Sequence, residues 1–310
     1  MLSFVSRCVG SDTAFEKQSD AEKVAQMNAA VREVKACYEA GAPLFRREDM
    51  QKLGDLNALL EKGATSKCNI ILKGINGVNY PLELMDLHVC RGDGHIGGSR
   101  WNIGYDSIQN LTRFENIDRF HASSAFCSMS VARCTWGLEV YSDTVPPAPS
   151  TEELLGVYEQ RLYHFRESKY IEVLRAALQK MRTRHVINKF DPAYTELDRD
   201  VLTSYGYTVV EDPQGFLMLD DNSVLVSIGP DVLVKQIVAD ICRPAIIIRT
   251  KENFKYEYTD YSFPSVIYMT DPSSSRVDKM LKEEYVELEF PSHKSWSGLA
   301  MYVKKSIWID

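Results

Sequence analysis

The sequence contains no long apolar run. No stretch approaches the roughly 18 consecutive apolar residues of a membrane-spanning helix, and the first apolar run, before Arg7 and Ser11, is too short for the core of a secretory signal peptide. We therefore expect a protein that does not act in a membrane and that has a cytoplasmic location.

The cysteines form neither a disulfide framework nor a zinc motif. There are seven of them, an odd number, and no Cys-x-x-Cys pair occurs. His121, Cys127 and Cys134 lie near one another in the chain, but their spacing does not fit the usual zinc sites. This pattern is typical of reduced thiols in an intracellular protein. It predicts no metal site.

The chain has no excess of positive charge. Its 36 Lys and Arg residues are outnumbered by 43 Asp and Glu residues, which gives a formal net charge of -7. An acidic protein lacks the global field that draws a protein to nucleic acid, so we expect no DNA partner. A local basic groove for RNA stays compatible with this balance.

Cofactor motifs are also missing. The letters "GDGHIG" at 92–97 match G-x-G-x-x-G, but the following "GSRWNIGY" is not typical of a helix that could hold a pyrophosphate. No G-x-S-x-G nucleophile motif is present either. We predict a loop at 92–97 and no bound cofactor, which disfavours an enzyme that depends on a nucleotide cofactor.

The sequence divides at a proline-rich stretch. "SDTVPPAPS" at 142–150 cannot lie inside a helix or a central strand, because proline removes a hydrogen-bond donor and fixes the backbone. It predicts a linker between an N-terminal helical and extended region, 1–141, and a C-terminal domain, 151–310. In the N-terminal region, helices are predicted at 20–40 and 45–63, followed by a strand, an Asn-Gly turn and a returning strand.

The C-terminal region alternates between apolar strands and amphipathic helices. This alternation is typical of a parallel sheet that is covered on both faces. We therefore predict an α/β fold with a doubly wound, mostly parallel sheet, a Rossmann-like domain, over 151–310. The predicted strands are 185–190, 207–212, 223–230 and 244–250, and the predicted helices are 151–182, 196–206, 231–243 and 273–285.

Three polar residues follow these strands and are the candidate catalytic residues. Asp191, Asp212 and Ser227 lie at strand carboxyl ends, the edge where ligands bind in doubly wound sheets. A buried aspartate at such an edge can serve as a general base, and Ser227 can serve as a nucleophile.

Local structure offers an alternative for each of these positions. Thr195 and Asp198 fit a capping box that would begin the helix after Asp191. "DPQG" at 212–215 fits a type I turn, with proline at its second position. Ser227 can also be a small polar residue that closes a strand. Each residue taken alone is more typical of these structural roles.

Charged clusters add two further candidates. Asp220 and Asp221 could bind a guanidinium group with paired carboxylates, or they could belong to a solvated turn. The basic stretch "KMRTRH" could contact phosphates, or it could stabilise a helix C-terminus. The possible elements of a basic track are Lys180, Arg182, Arg184, Lys189, Arg249 and Lys251.

Several stretches together resemble one family. "DPAYTELDRDVL", "VVEDPQGFLMLDDNSVLVS", "KQIVADICRPAIII" and "DPSSSRVDKM" are similar to the fungal branch of the sensitivity-to-red-light-reduced-like domain family. These motifs cover roughly the last two-fifths of the chain. The family pattern also has a first strand with a glycine-containing loop, which is missing before 185–190.

The resemblance implies two functions. One is a non-catalytic regulatory protein, as in plant and animal relatives. The other is an aminoacyltransferase, an arginine-containing cyclodipeptide synthase of fungal secondary metabolism, whose partners are arginyl-tRNA and a second aminoacyl-tRNA. For the synthase, the catalytic candidates are Asp191, Asp212 and Ser227; the substrate-binding candidates are Tyr194, Thr195, Asp220, Asp221 and Gln236; and the tRNA-binding candidates are Lys180, Arg182, Arg184 and Lys189. The synthase is the main prediction from the sequence, and the regulatory protein is its alternative.

Overall fold

The protein is a mixture of helices and small sheets. The computed structural model describes residues 5–7, 19–64, 69–89, 98–113, 125–136, 150–166, 188–189, 196–230, 232–251, 271–289 and 298–308. These residues form eight helices and twelve strands, so the class is mixed α/β. The chain divides into two compact units, Met1–Pro146 and Pro147–Asp310. Of the predicted linker 142–150, only Ser150 lies within the described residues.

The first unit begins with two helices whose bounds follow from their caps. Helix α1 (Asp20–Glu39) begins after Ser19, whose hydroxyl accepts from the Glu22 backbone, while the Glu22 carboxylate accepts from the Ser19 backbone at 2.9 Å. It ends before Gly41, whose φ of 93° suits glycine. Helix α2 (Arg47–Glu61) follows. Both predicted helices are confirmed.

Two sheets complete this unit. Strands β2 (Ile71–Lys73) and β3 (Asn79–Pro81) form the predicted hairpin, with Gly77 at φ 82° in its turn. A four-stranded sheet has the order β1-β4-β6-β5, in which only β4 and β6 are parallel. Its strands are β1 (Val5–Arg7), β4 (Leu84–Val89), β5 (Gly98–Tyr105) and β6 (Met129–Trp136), with the short helix α3 (Ile108–Leu111) between β5 and β6.

Strand β5 settles one point of the sequence analysis. It consists of "GSRWNIGY", the segment directly after the "GDGHIG" letters. An extended strand offers no helix N-terminus for a pyrophosphate, so the expectation that no helix follows these letters is confirmed. Residues 92–97 themselves lie outside the described residues.

The second unit opens with short elements. Helix α4 (Thr151–Arg166) is the described part of the predicted helix 151–182. Strand β7 (Asn188–Lys189) pairs in parallel with β8 (Thr208–Val209), and α5 (Glu196–Ser204) lies between them in the chain. Helix α5 ends before Gly206, at φ 81°, as predicted. The short helix α6 (Gln214–Leu217) follows.

A strand–helix–strand unit leads to the four-stranded sheet of the second unit. Strands β9 (Val224–Ser227) and β10 (Ile246–Thr250) are parallel and are joined by helix α7 (Val234–Ile241), as the sequence predicts. Helix α8 (Ser275–Glu284) runs directly into β11 (Tyr285–Glu289), and β12 (Leu299–Lys304) comes last.

This sheet differs from the doubly wound sheet predicted from the sequence. Its order is β11-β12-β10-β9, and β12 is antiparallel to both β10 and β11. Because the last strand enters between β10 and β11, only one of the pairs in this sheet is parallel. Among the described residues, the parallel β7–β8 pair is a separate two-stranded sheet. The described strands thus form a mixed sheet, and the doubly wound parallel sheet is not confirmed.

The two faces of this sheet have different surroundings. Ile246 and Ile248 pack with Met301 and Val303 in one apolar cluster, against which Trp308 also packs. The alternating residues Ile247 and Arg249 point to the other face, because successive side chains of a strand alternate. That second face lies against α7 and α8.

In the part of the chain that the structure describes, no helix is long and apolar enough to cross a bilayer.

Candidate site at the carboxyl end of β9

Ser227 is the last residue of β9 and the best placed of the predicted catalytic residues. It pairs in register with Arg249 on β10 and is buried, with 8% of its surface exposed. Its hydroxyl finds no hydrogen-bond partner among the described residues. A buried hydroxyl without a partner loses its contacts with water and gains none in return, so this position calls for an explanation.

Arg249 brings a positive charge to the same place. Its side chain is 4% exposed, and its guanidinium lies over the Tyr302 ring, 5.0 Å from the ring centre. It also donates to the Thr250 carbonyl at 3.3 Å. Burial raises the pKa of Tyr302, which is hydrogen-bonded to Glu287 as well as to Arg249. Because Arg249 is buried, it is not a surface cation of the kind expected for a basic track along RNA.

A small pocket lies between the strands and the two helices. Ser227, Arg249 and Lys235 form part of its wall, but the surface that the wall exposes to the pocket is apolar. The other wall residues come from both strands and both helices: Leu225, Ile247, Val234, Val238, Val277, Met280 and Leu281. The sequence placed Ser227 at a strand end correctly, but the neighbouring helix α8 could not be assigned to this site from periodicity alone.

The junction of α7 and α8 explains much of the sequence resemblance in structural terms. Asp271, which is 7% exposed, accepts from the Lys235 backbone at 3.0 Å and so caps the start of α7. The Gln236 amide donates to the Pro272 carbonyl at 3.0 Å. Asp240, at the other end of α7, forms an ion pair with Arg276. The motif "DPSSSRVDKM" therefore joins two helices.

Gln236 was predicted to bind substrate, and the structure shows a different use of its amide. The residue is 2% exposed and reaches from α7 to the segment before α8. No spacing or periodicity in the sequence predicts Asp271 or Asp240 as partners in this junction. Both residues lie in the motifs that resemble the family, but their contacts join positions 36 residues apart, so no local pattern shows the pairing.

The acidic pair before β9 is engaged locally. Asp220 accepts from the Asn222 backbone at 2.9 Å and from the Ser223 hydroxyl at 2.7 Å, which closes its own turn. Asp221 forms an ion pair with Lys304 of β12 at 3.2 Å. The turn and the ion pair match the structural alternative for this pair.

Asp212 lies in a turn of another type than the sequence predicts. The Asp212–Pro213 peptide bond is cis, and the Gln214 backbone donates to the Glu211 carbonyl at 2.7 Å. The turn covers 211–214, and the cis proline at its third position makes it a type VI turn; the predicted type I turn was placed one residue later, at 212–215. The type I pattern fits the letters equally well, because an Asp-Pro sequence does not fix the peptide isomer.

Of the other site residues predicted for the synthase, only Lys189 lies within the described structure. Lys189 is the second residue of β7. Those that lie outside the described residues are Lys180, Arg182, Arg184, Asp191, Tyr194 and Thr195. The tRNA-binding role and the catalytic role of Asp191 stay predictions.

The first unit has a charged cluster of its own, which the sequence analysis did not find. Asp49, in the first turn of α2, is 1% exposed and accepts from the Lys52 ammonium at 2.7 Å and from the Lys73 backbone at 3.5 Å. Arg46 donates to the Lys73 carbonyl at 2.7 Å. Burial, with the nearby Asp49 charge, raises the pKa of the Cys127 thiol to about 11. A protonated thiol and a carboxylate with two donors indicate a structural junction between α2 and the hairpin.

Comparison with known proteins gives one family. Residues 171–289 match the model of the SRR1 domain. No curated protein and no solved structure matches the chain significantly. The matched stretch covers less than half of the chain and contains β9, α7, β10 and α8. It supports the assignment of this region to the SRR1-like family.

Proposed function

We propose that the protein is a non-catalytic regulatory protein of the SRR1-like family, which acts by binding a ligand or partner. The SRR1 domain match supports this proposal, since the resemblance implies regulation for plant and animal relatives. The observation that carries it is the environment of Ser227.

A serine nucleophile needs a base within hydrogen-bond reach, at about 2.6–3.2 Å. The Ser227 hydroxyl has no hydrogen-bond partner of any kind among the described residues. The cation beside it, Arg249, cannot accept a proton because a guanidinium stays charged in proteins. The surroundings of Ser227 thus favour a binding role over covalent chemistry.

The acids near the site give further support. A pocket for an arginine substrate would present unsatisfied carboxylates, whereas Asp220 closes a turn and Asp221 pairs with Lys304. Asp271 and Asp240 hold α7 and α8 together. The described carboxylates around β9 and α7 thus contribute to the fold.

Arginine-containing cyclodipeptide synthesis is the competing hypothesis. It draws on the sequence resemblance and on predicted residues such as Asp191 and Arg184, which lie outside the described residues. Both hypotheses agree with a cytoplasmic location, which we predict from the sequence. They differ in whether the protein consumes aminoacyl-tRNA.

A product assay separates the two hypotheses. The purified full chain is incubated with arginyl-tRNA and a mixture of the other charged tRNAs, and extracts are analysed by mass spectrometry for cyclo-arginine products. An established cyclodipeptide synthase run in parallel confirms that the assay works. We expect no such product and no faster loss of arginyl-tRNA than without protein. A cyclo-arginine product that disappears in Asp191→Ala or Asp212→Ala would overturn the regulatory proposal, provided that each variant keeps the melting temperature of the wild type.

A further inference from the structure

We propose that the outer edge of strand β9 binds an extended segment of a partner protein, which adds a fifth strand to the sheet β11-β12-β10-β9. The added segment carries apolar residues at alternate positions. This inference goes beyond the proposed function, because a strand can be added here whether or not the protein is catalytic. It rests on three features of β9: its place at the edge of the sheet, the apolar rows that end on it, and its uncharged sequence.

The place of β9 in the sheet is the first feature. Within the described part of the chain, β9 pairs with β10 on one side and with no strand on the other. The outer backbone N–H and C=O groups of such an edge can pair with an extended segment of another chain. A helix cannot pair in this way, because its backbone groups are bonded within the helix itself. The edge therefore favours a strand as its occupant.

The apolar rows that cross the sheet are the second feature. One row crosses the four strands in the order Leu288, Met301, Ile248 and Val226. In the middle of this row Met301 and Ile248 are almost fully buried, whereas Val226 at the edge is 58% exposed. An apolar side chain on a fifth strand would lie beside Val226 and cover it. The next row on the same face is also apolar: Val286, Val303, Ile246 and Val224.

The uncharged sequence of β9 is the third feature. Edge strands are commonly protected from pairing by a charged residue or a proline. Strand β11, at the opposite edge of the same sheet, has the exposed Glu287 at its centre. Strand β9 reads Val-Leu-Val-Ser, with neither a charge nor a proline, and Ile228 just beyond it is 44% exposed. Of these two edges, β9 is thus the one that is suited to pairing.

The two rows decide the chemistry of the partner segment. Two apolar residues with one residue between them would continue the rows that end at Val224 and Val226, because side chains of a strand alternate between its faces. β-Branched or aromatic residues suit both positions, since they pack well between neighbouring strands. The paired part of the segment is short, because β9 itself has four residues.

The test is a selection of peptides that bind the full-length protein, from a library of random peptides displayed on phage. The selected peptides are synthesised, and their affinity is measured by fluorescence anisotropy. We expect them to carry apolar residues at alternate positions, and we expect Val226→Lys to weaken binding about tenfold or more, because a charge replaces the apolar contact at the edge. Methylation of the peptide nitrogens that face β9 should abolish binding, and methylation of the nitrogens that face away should leave it unchanged.

Val157→Lys is the matched control. Val157 is a valine of similar exposure, at 48%, but lies on helix α4. This variant should bind the selected peptides as the wild type does. Both variants should keep the wild-type melting temperature, because both valines are about half exposed.

Four results would overturn the proposal. The first three are a selection without alternating apolar peptides, equal binding by Val226→Lys and the wild type, and equal effects of the two methylation patterns. The fourth is a dimer in sedimentation that Val226→Lys abolishes, since the occupant of the edge would then be a second copy of the chain. None of these results bears on the product assay, so this inference can fail while the proposed function stands.

Discussion

The two four-stranded sheets of the molecule have the same number of parallel pairs but join them differently. In the second unit, the parallel strands β9 and β10 are connected by α7. In the first unit, the parallel strands β4 and β6 are connected through β5, which is itself antiparallel to β6, and through the short helix α3. The parallel strands of the second unit are thus joined by a helical crossover, and those of the first unit by a crossover that includes a strand.

The difference explains why the β9–β10 pair could be predicted and the β4–β6 pair could not. A helical crossover changes the apolar period from that of a strand to that of a helix and back, and this change is visible in "SVLVSIGPDVLVKQIVADICRPAIIIRT". Strand β5 mixes glycine, arginine, tryptophan and asparagine without a clear alternation. Its pairing depends on β6, far along the chain, and no local pattern reports it.

Shortening a buried side chain of the crossover helix α7 should have the largest effect on the free energy of unfolding. Ile237 of α7 is fully buried, so Ile237→Ala should cost about 2–5 kcal/mol through lost burial and the cavity left behind. We would measure this by urea unfolding, with hydrogen exchange of the β9 and β10 peptides as the local readout.

Val226→Ala is the control for this prediction. Val226 is on β9 itself but is 58% exposed, so its truncation should change stability by less than about 0.5 kcal/mol. If the two variants lose equal stability, the helical crossover does not hold the parallel pair, and the comparison between the sheets fails.

Removing the remote cap of α7 should have an intermediate effect. Asp271→Ala removes the acceptor for the Lys235 backbone and should cost about 0.5–2 kcal/mol. Asp271→Asn should recover most of that loss, because asparagine caps as well as aspartate. Thermal unfolding of the three proteins measures both values. Equal losses in the two variants would show that the charge of Asp271 matters and that the cap does not.

The smallest effect is expected at Cys127, next to the charged cluster of the first unit. There, a change of pH should alter the reactivity of the thiol without unfolding the protein. Burial raises the pKa of Cys127 to about 11, so its thiolate is scarce at neutral pH and alkylation is slow. The folded pKa lies above the unfolded value, so the thiol contributes stability below about pH 9, and this contribution is lost as the pH rises through about 11. Mass-spectrometric alkylation of Cys127 should accelerate about tenfold per pH unit below that pKa, as expected for a single titrating thiol. Rapid alkylation at pH 7 would contradict the half-buried placement of Cys127.

The sequence predicted what is local and missed what is remote. The cap of α1 was predictable because Ser19 and Glu22 are three residues apart. The cap of α7 was not, because Asp271 and Lys235 are 36 residues apart in the chain. Asp49 was missed for the same reason, since its contact with the Lys73 backbone spans 24 residues. For the candidate site, the strand end at Ser227 was correct, but its pocket required the position of α8.

The cap formed by Asp271 has a consequence for how this region tolerates change. Its hydrogen bond to the Lys235 backbone joins two points that are 36 residues apart in the chain. Asp271 also lies just before Ser274, the residue that caps α8. A substitution that breaks this one contact should therefore disturb the starts of α7 and α8 together.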